Sequence, residues 1–377
     1  MHSISLCRNR AWTLGAIALV PTLGSLVAPT ALAYDVNDNL KINVLAAGTY
    51  QCQEVSGGDE GEDACRGAAP IQPELVYAPT EQDEIFVKLG FAAGNGLNPV
   101  SPFVLAPWAA DLEDDVQDVN GRDRSYLLEA WYAHTFRFGE TNTLQITGGI
   151  VDPAFYVNEN AYANDEYTQF MNEAFVNSRN ALLPAYDWGG VLVWKLQDWT
   201  FSAVGMNVGE NDDGNNYNFY AVEADYHIET ALGEGNYRVM VSGTSSAFPD
   251  LDGEELERRS ALNLSFDQAL GPIVGAFLRL GWQAEDAAVD FKAVYSGGFD
   301  FKGSAWGREG DNIGIGYAYL DGGNLENRNS QSVEAYYRLA VNDYLALTAD
   351  VQYLKDDYVD ADVVEGWVLG MRGVVEF

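Results

Sequence analysis

Glu334, Tyr336 and Arg338 stand at alternate positions in VEAYYRLAV, so an extended chain puts an acid, an aromatic ring and a base on one face. Carboxylates accept hydrogen bonds, guanidinium groups donate them, and opposed charges across water set up a transverse field. The same counting adds Arg279, Lys292 and Arg372 on the basic side, and Glu129, Glu223, Asp225 and Asp350 on the acidic side. Each alone reads equally well as a solvated or paired wall charge; together they can make a hydrogen-bonding lining. Covalent and metal chemistry have less to work with. Past residue 33 only His134 and His227 remain: His134 shares a face with Tyr132 and Phe136, and His227 follows Glu223 and Asp225. Neither a G-x-S-x-G turn nor paired metal-ligand spacing accompanies them, so the expectation is no enzyme, no cofactor and no metal.

The elements that position these groups repeat every second residue. In 366–377, Trp367, Leu369, Met371, Val375 and Phe377 alternate with Val368, Arg372 and Glu376. In 344–354, Leu345, Leu347, Ala349, Val351 and Tyr353 alternate with Thr348, Asp350 and Gln352, and Asn342-Asp343 makes a hairpin turn to the strand before. In 289–301 the odd residues are the apolar set, which assigns Lys292 to the polar face. Period two sustained over about ten residues is the length of a tilted strand crossing a bilayer, longer than the five or six of a soluble sandwich. Charges recur mid-strand, where a dry core would not accept them unpaired. Aromatic residues cluster near the ends of the apolar faces, as interfacial girdles do.

Export is written at the front. Arg8 and Arg10 precede an apolar run from 12 to 27 that ends in Ala31-Leu32-Ala33, the order of a secretory signal peptide cut after Ala33. Residues 1–33 are thus read as leader and 34–377 as one domain. No later stretch is apolar enough for a membrane helix, which leaves a soluble protein or a closed barrel. Without the leader, 19 basic face 56 acidic residues, a formal charge of −37. Nucleic acid is excluded as a partner, because phosphate binding needs cations. Cys52 and Cys65, the pair left after export, are expected to form a disulfide in the first outer loop. Connections alternate long and short, giving an all-β, up-and-down transmembrane barrel of about sixteen strands. Its longest connection, 152–187, has a helix-like middle from 164 to 175 and is expected to fold inward and narrow a water-filled lumen.

Three segments also carry a resemblance. GGIVDPAFYVNENAYANDEYTQFMNEAFVNS is similar to the signature region of the carbohydrate-selective porin (OprB) family, with Asp152, Asn160, Asn164, Asp165, Glu166, Gln169, Phe170 and Asn177 at the matching positions. FKGSAWGREGDNIGIGYAYL resembles the family's G-R-x-x-D turn through Gly307, Arg308 and Asp311. VEAYYRLAVNDYLALTADVQYL resembles its late strand pair, with Ala349 where the family usually has proline. The resemblance covers most of 124–377 and implies a sixteen-stranded, sugar-permeable channel in the outer membrane, bounded by lipid. The constriction is expected on the long inward loop at Asn160, Asn164, Asp165, Glu166 and Gln169, and the resemblance places a signal for the barrel-assembly machinery at Phe377. Sugars carry hydroxyl rims and C–H faces, so wall charges would serve the rim and Tyr336 would lie under the ring. A cation-favouring general porin and a surface-display barrel are the rival readings. The particular sugar and the oligomeric state stay open.

Overall fold

The computed structural model describes residues 34–57, 63–122, 124–139 and 141–377; the leader expected over residues 1–33 lies outside the described residues. Sixteen antiparallel strands form one closed wall. The first eight are β1 (Leu40–Ser56), β2 (Ala64–Tyr77), β3 (Asp83–Leu89), β4 (Leu127–Arg137), β5 (Asn142–Val151), β6 (Asp187–Leu196), β7 (Trp199–Val208) and β8 (Tyr217–Thr230). The rest are β9 (Gly233–Thr244), β10 (Ser260–Leu270), β11 (Val274–Gln283), β12 (Phe291–Lys302), β13 (Asn312–Gly322), β14 (Asn327–Ala340), β15 (Leu345–Tyr358) and β16 (Val364–Glu376). Every strand pairs with its chain neighbour, and β16 pairs with β1 from Leu45↔Glu376 to Ser56↔Glu365. Beyond that ladder, Phe377 exchanges both backbone hydrogen bonds with Val44, at 2.7 and 3.1 Å. The terminal aromatic is therefore pinned between two strands with its ring exposed.

Alternation sets the two faces. On β16, Trp367, Leu369 and Met371 are exposed while Val368, Arg372 and Val374 are buried; on β15, Leu347 is exposed and Thr348 buried. The exposed rows point out of the barrel and the buried rows into it, as period two requires. β12 breaks the pattern. Its register with β13 shifts between Phe291 and Ala293, a bulge that inserts one residue and reverses the faces above it. Phe291 and Val289 are consequently buried. Lys292 moves to the outer row, 3.3 Å from Asp321, so it is not a lumen residue.

Loops at one end are short, such as 197–198 and 231–232, and those at the other include 90–126 and 152–186. The contrast is not uniform. The connection between β13 and β14 is only 323–326, because β13 reaches Gly322 and β14 begins at Asn327, while 303–311 forms a folded turn. That turn holds the G-R-x-x-D segment. Asp311 takes the Arg308 guanidinium at 2.5 Å, the Tyr337 hydroxyl at 2.5 Å and the Ala340 N–H at 2.9 Å, and Gly307 supplies the left-handed φ of +77°. Cys52 and Cys65 are bridged, but as directly opposed residues of the β1–β2 ladder with Cα atoms 4.0 Å apart, not within the loop beyond it.

Candidate functional site

Two loops fold into the barrel. The 152–186 loop crosses the lumen, and most of its side chains are buried against the wall. Its expected helix over 164–175 is limited to Glu173–Val176, capped by the Asn172 side chain. The 90–126 loop, which alternation left unassigned, lies against it: Ala109 N–H donates to the Met171 carbonyl at 2.9 Å, and Ala106 and Glu173 exchange backbone and side-chain bonds. Its signal was present in Leu97, Phe103, Leu105 and Trp108, apolar residues too many for a solvated connection, and all four are buried.

Wall residues grip the crossing loop by its backbone. Arg279 on β11 has no exposed surface; it donates to the carbonyls of Ala163, Phe175 and Asn158 and to Asn164 Oδ1, the last three at 2.7, 2.9 and 2.9 Å. Arg372 on β16 donates to the carbonyls of Glu166 and Gln169 at 2.5 and 2.9 Å. Glu334 on β14 accepts the N–H groups of Met171 and Asn172 at 2.6 and 2.9 Å, and Glu223 on β8 accepts that of Asn158 at 2.8 Å. Buried backbone amides and carbonyls need hydrogen-bond partners, and these side chains supply them. The four lie on the lumen face but under the loop, so they seat it instead of meeting a solute. Tyr336 is likewise covered: Phe170 packs edge-on at 5.0 Å, and its hydroxyl accepts from Asn312 at 2.9 Å. Glycines make room for these rings, since a Cβ on Gly314 would come within 2.1 Å of the Tyr336 ring and one on Gly316 within 2.7 Å of the Phe175 ring.

The remaining wall charges divide. Glu129 accepts from Trp131 Nε1 at 2.9 Å and is buried; Asp350 is buried beside Gln352, whose amide donates to it at 2.9 Å. Arg338 donates to the Gly310 carbonyl at 3.2 Å near the short-turn end. Asp225 belongs to a half-open group that alternation reached only in part. Arg238 on β9 sits between Asp225 at 3.3 Å and Asp267 at 2.5 Å, and Asp267 also accepts from Ala161 N–H and Asn236. Asn236 in turn contacts His227 at 3.0 Å. Arg238 and Asp267 follow the same period-two count as Asp225 and were findable by it.

The loop's own polar residues mostly turn inward to hold its shape. Asn160 donates to Ser265 Oγ and the Phe266 carbonyl at 3.2 and 3.1 Å; Asp165 accepts from the Tyr167 N–H and the Thr168 hydroxyl; Gln169 bonds Asn164 and Ala161. Glu166 has no exposed surface, and neither carboxylate oxygen has a hydrogen-bond partner among the described residues. Burial, and then neighbouring Asp165, push this carboxyl well above the usual range. A second knot ties both loops to the wall. Lys88 lies 3.3 Å from the Tyr186 hydroxyl, which donates to Asp111 at 2.7 Å, and Gln72 links Asp111 to Tyr167. Toward the short-turn end the loop shows Glu159 and Ala161 exposed, with Tyr162 and Gln169 half-buried. Among the described residues, no group of three or more His, Cys, Asp or Glu could hold a metal ion.

A closed antiparallel barrel, apolar outside, with charges inside gripping an inward loop, is the architecture of an outer-membrane porin. The comparisons agree on the fold. A high-pH structure of OprB from Pseudomonas putida superposes with TM-score 0.71 at 15% identity, covering 90% of this chain and 94% of that one. The DcaP channel of Acinetobacter baumannii gives 0.56 at 10% identity, covering 91% and 99%. By sequence, an uncharacterised protein of Aquifex aeolicus (strain VF5) is 30% identical over 311 residues, 81% of this chain and 88% of that one. The chain belongs to the carbohydrate-selective porin, OprB family, which it matches over residues 112–377.

Proposed function

We propose that the protein is a passive pore through which carbohydrates diffuse down their gradient, past a constriction built on the 152–186 loop. The observation that carries this reading is the anchoring of that loop across the lumen by Arg279, Arg372, Glu334 and Glu223, in a chain of the carbohydrate-selective family. The solute-facing groups are then Glu159, Tyr162 and Gln169 on the loop, and Asp225 and His227 on the wall, with Arg238 buried behind them and fixing Asp225. Tyr162 takes the part that alternation assigned to Tyr336: its ring lies against the wall at Gly275, where a Cβ would come within 2.2 Å. Fixed donors and acceptors exchange for the water on a sugar's rim, and the ring covers a C–H face. On this reading residues 1–33 leave on export, and Phe377 is recognised during barrel assembly.

Liposome swelling with neutral sugars against amino acids of similar size tests it. Faster sugar entry, and block of single-channel current by sugar, are the expected results. The general cation-favouring porin has one observation in its favour: Glu159 and Asp225 reach the open lumen while Arg238, the base between Asp225 and Asp267, is buried. Equal swelling with both solute classes and no block would make that the better description.

A further inference from the structure

The outer wall holds a shaped depression that pore function does not use. The β6–β7–β8 ladders set Leu192, Ala203 and Val222 in one outward row, and Trp194, Phe201 and Ala224 in the next row toward the short turns. Ala203 and Ala224 are thus diagonal neighbours, two methyl groups flooring a notch among large side chains. The resulting groove has a volume of about 740 Å³ and is lined almost entirely by apolar groups. That is within the range of pockets that hold a small ligand. Its lower end is polar: Trp194 Nε1 donates to Asn142 Oδ1 at 2.9 Å, and Trp199 stacks on Phe201 at 5.8 Å, an aromatic girdle at the membrane surface.

We propose that this groove is a binding site for an acyl chain of a glycerophospholipid from the periplasmic leaflet. Three features select that occupant. The groove continues the hydrocarbon-facing wall, so lipid chains are what it meets. No charged side chain points outward into it, since the carboxylate of Glu223, which borders the groove, turns to Asn158 in the lumen, and this leaves the chain, not a headgroup, as the recognised part. It opens beside the short-turn end, the periplasmic side of an outer-membrane barrel, which places it in the phospholipid leaflet and away from lipopolysaccharide. A notch two residues across holds a chain longer than flat wall does, because each methylene contacts both floor and rim.

Native mass spectrometry of the purified barrel, mixed in detergent micelles with palmitoyl-oleoyl phosphatidylethanolamine, is the test. Wild type should retain a lipid adduct, and Ala224→Leu, which fills the floor, should lower its retention about tenfold, the worth of roughly two buried methylenes. Ala349→Leu, an outward alanine on β15, should retain lipid as wild type does, which separates groove filling from a general change of surface. Leucine is at home in hydrocarbon, and heat-modifiable gel migration checks that each variant has folded. Phosphatidylglycerol should be retained equally, since the chain is what binds. Equal adducts on wild type and Ala224→Leu would overturn the proposal, as would retention of lipopolysaccharide alone. So would a wild-type oligomer that Ala224→Leu dissociates, because the groove would then be a seam between copies.

Discussion

Replacing Arg279 by methionine should free the crossing loop while leaving the barrel intact. The guanidinium makes four hydrogen bonds, three to backbone carbonyls and one to Asn164 Oδ1, and no water-exposed surface remains on it. A hydrogen bond from a charged donor is worth about 1.5–3 kcal/mol net, and a buried carbonyl left unmet costs about 1–3 kcal/mol. Four such bonds set an upper bound well above what a loop can lose, since a loosened loop can let lumen water reach its carbonyls. A loss of about 3 kcal/mol is the conservative expectation, equivalent to roughly a hundredfold rise in loop opening. The sixteen-strand ladders do not use the Arg279 side chain, so global unfolding should shift little. Hydrogen–deuterium exchange should report this directly, with amides of 158–176 exchanging about a hundredfold faster and those of β10 to β12 unchanged. Planar-bilayer recording should show larger, noisier currents and weaker block by sugar. Arg279→Lys should recover part of the protection, because one ammonium cannot reach all four acceptors. Unchanged exchange in 158–176 together with unchanged conductance would refute the clamp.

Three further outcomes follow from the geometry. Leu369 and Leu251 are about equally exposed, at 60% and 58%, yet only Leu369 lies mid-strand on the outer face; Leu369→Arg should cost about 2–4 kcal/mol in lipid-based unfolding and Leu251→Arg within about 0.5. Glu166 binds its proton more tightly in the packed loop than its ordinary value of 4.5 allows, so its contribution to packing is complete below that value and fades as pH rises through the raised one. Protease cleavage within 152–186 should therefore increase from pH 5 to alkaline pH in wild type and much less in Glu166→Gln. Reduction of the Cys52–Cys65 bridge removes a constraint on a short loop, worth roughly 3 kcal/mol by chain-entropy reckoning, and should speed exchange near residues 53–66 without opening the barrel.

What the sequence showed and what it hid have separate physical causes. Strand faces are local: residues two apart decide them, so the inward rows of β14 to β16 and the outward row ending at Phe377 were legible without any partner in view. The bulge at Phe291–Ala293 adds one residue to one strand only, and a period cannot announce the place where it skips; Lys292 was misplaced for that reason. Roles were harder than faces. Alternation puts Arg279, Glu334 and Tyr336 in the lumen but is silent on what stands opposite, and what stands there is a loop whose position depends on contacts more than a hundred residues apart. The 90–126 loop was missed because irregular backbone has no period to count, although its buried Trp108 and Phe103 were visible as apolar residues without a strand.

The seam between β1 and β16 has a consequence for how such a chain is made. Every other ladder joins neighbours, but the closing one brings together residues as far apart as Leu45 and Glu376, 331 positions in sequence. Until β16 has emerged and docked, β1 carries a long free edge in a sheet otherwise ready to recruit foreign strands. Closure is therefore a late, slow event with a high loop-entropy cost. The growing barrel must be sheltered for the whole interval, and a chain broken anywhere before β16 would be left as a permanently open sheet, distinguishable from the finished product by its edge alone.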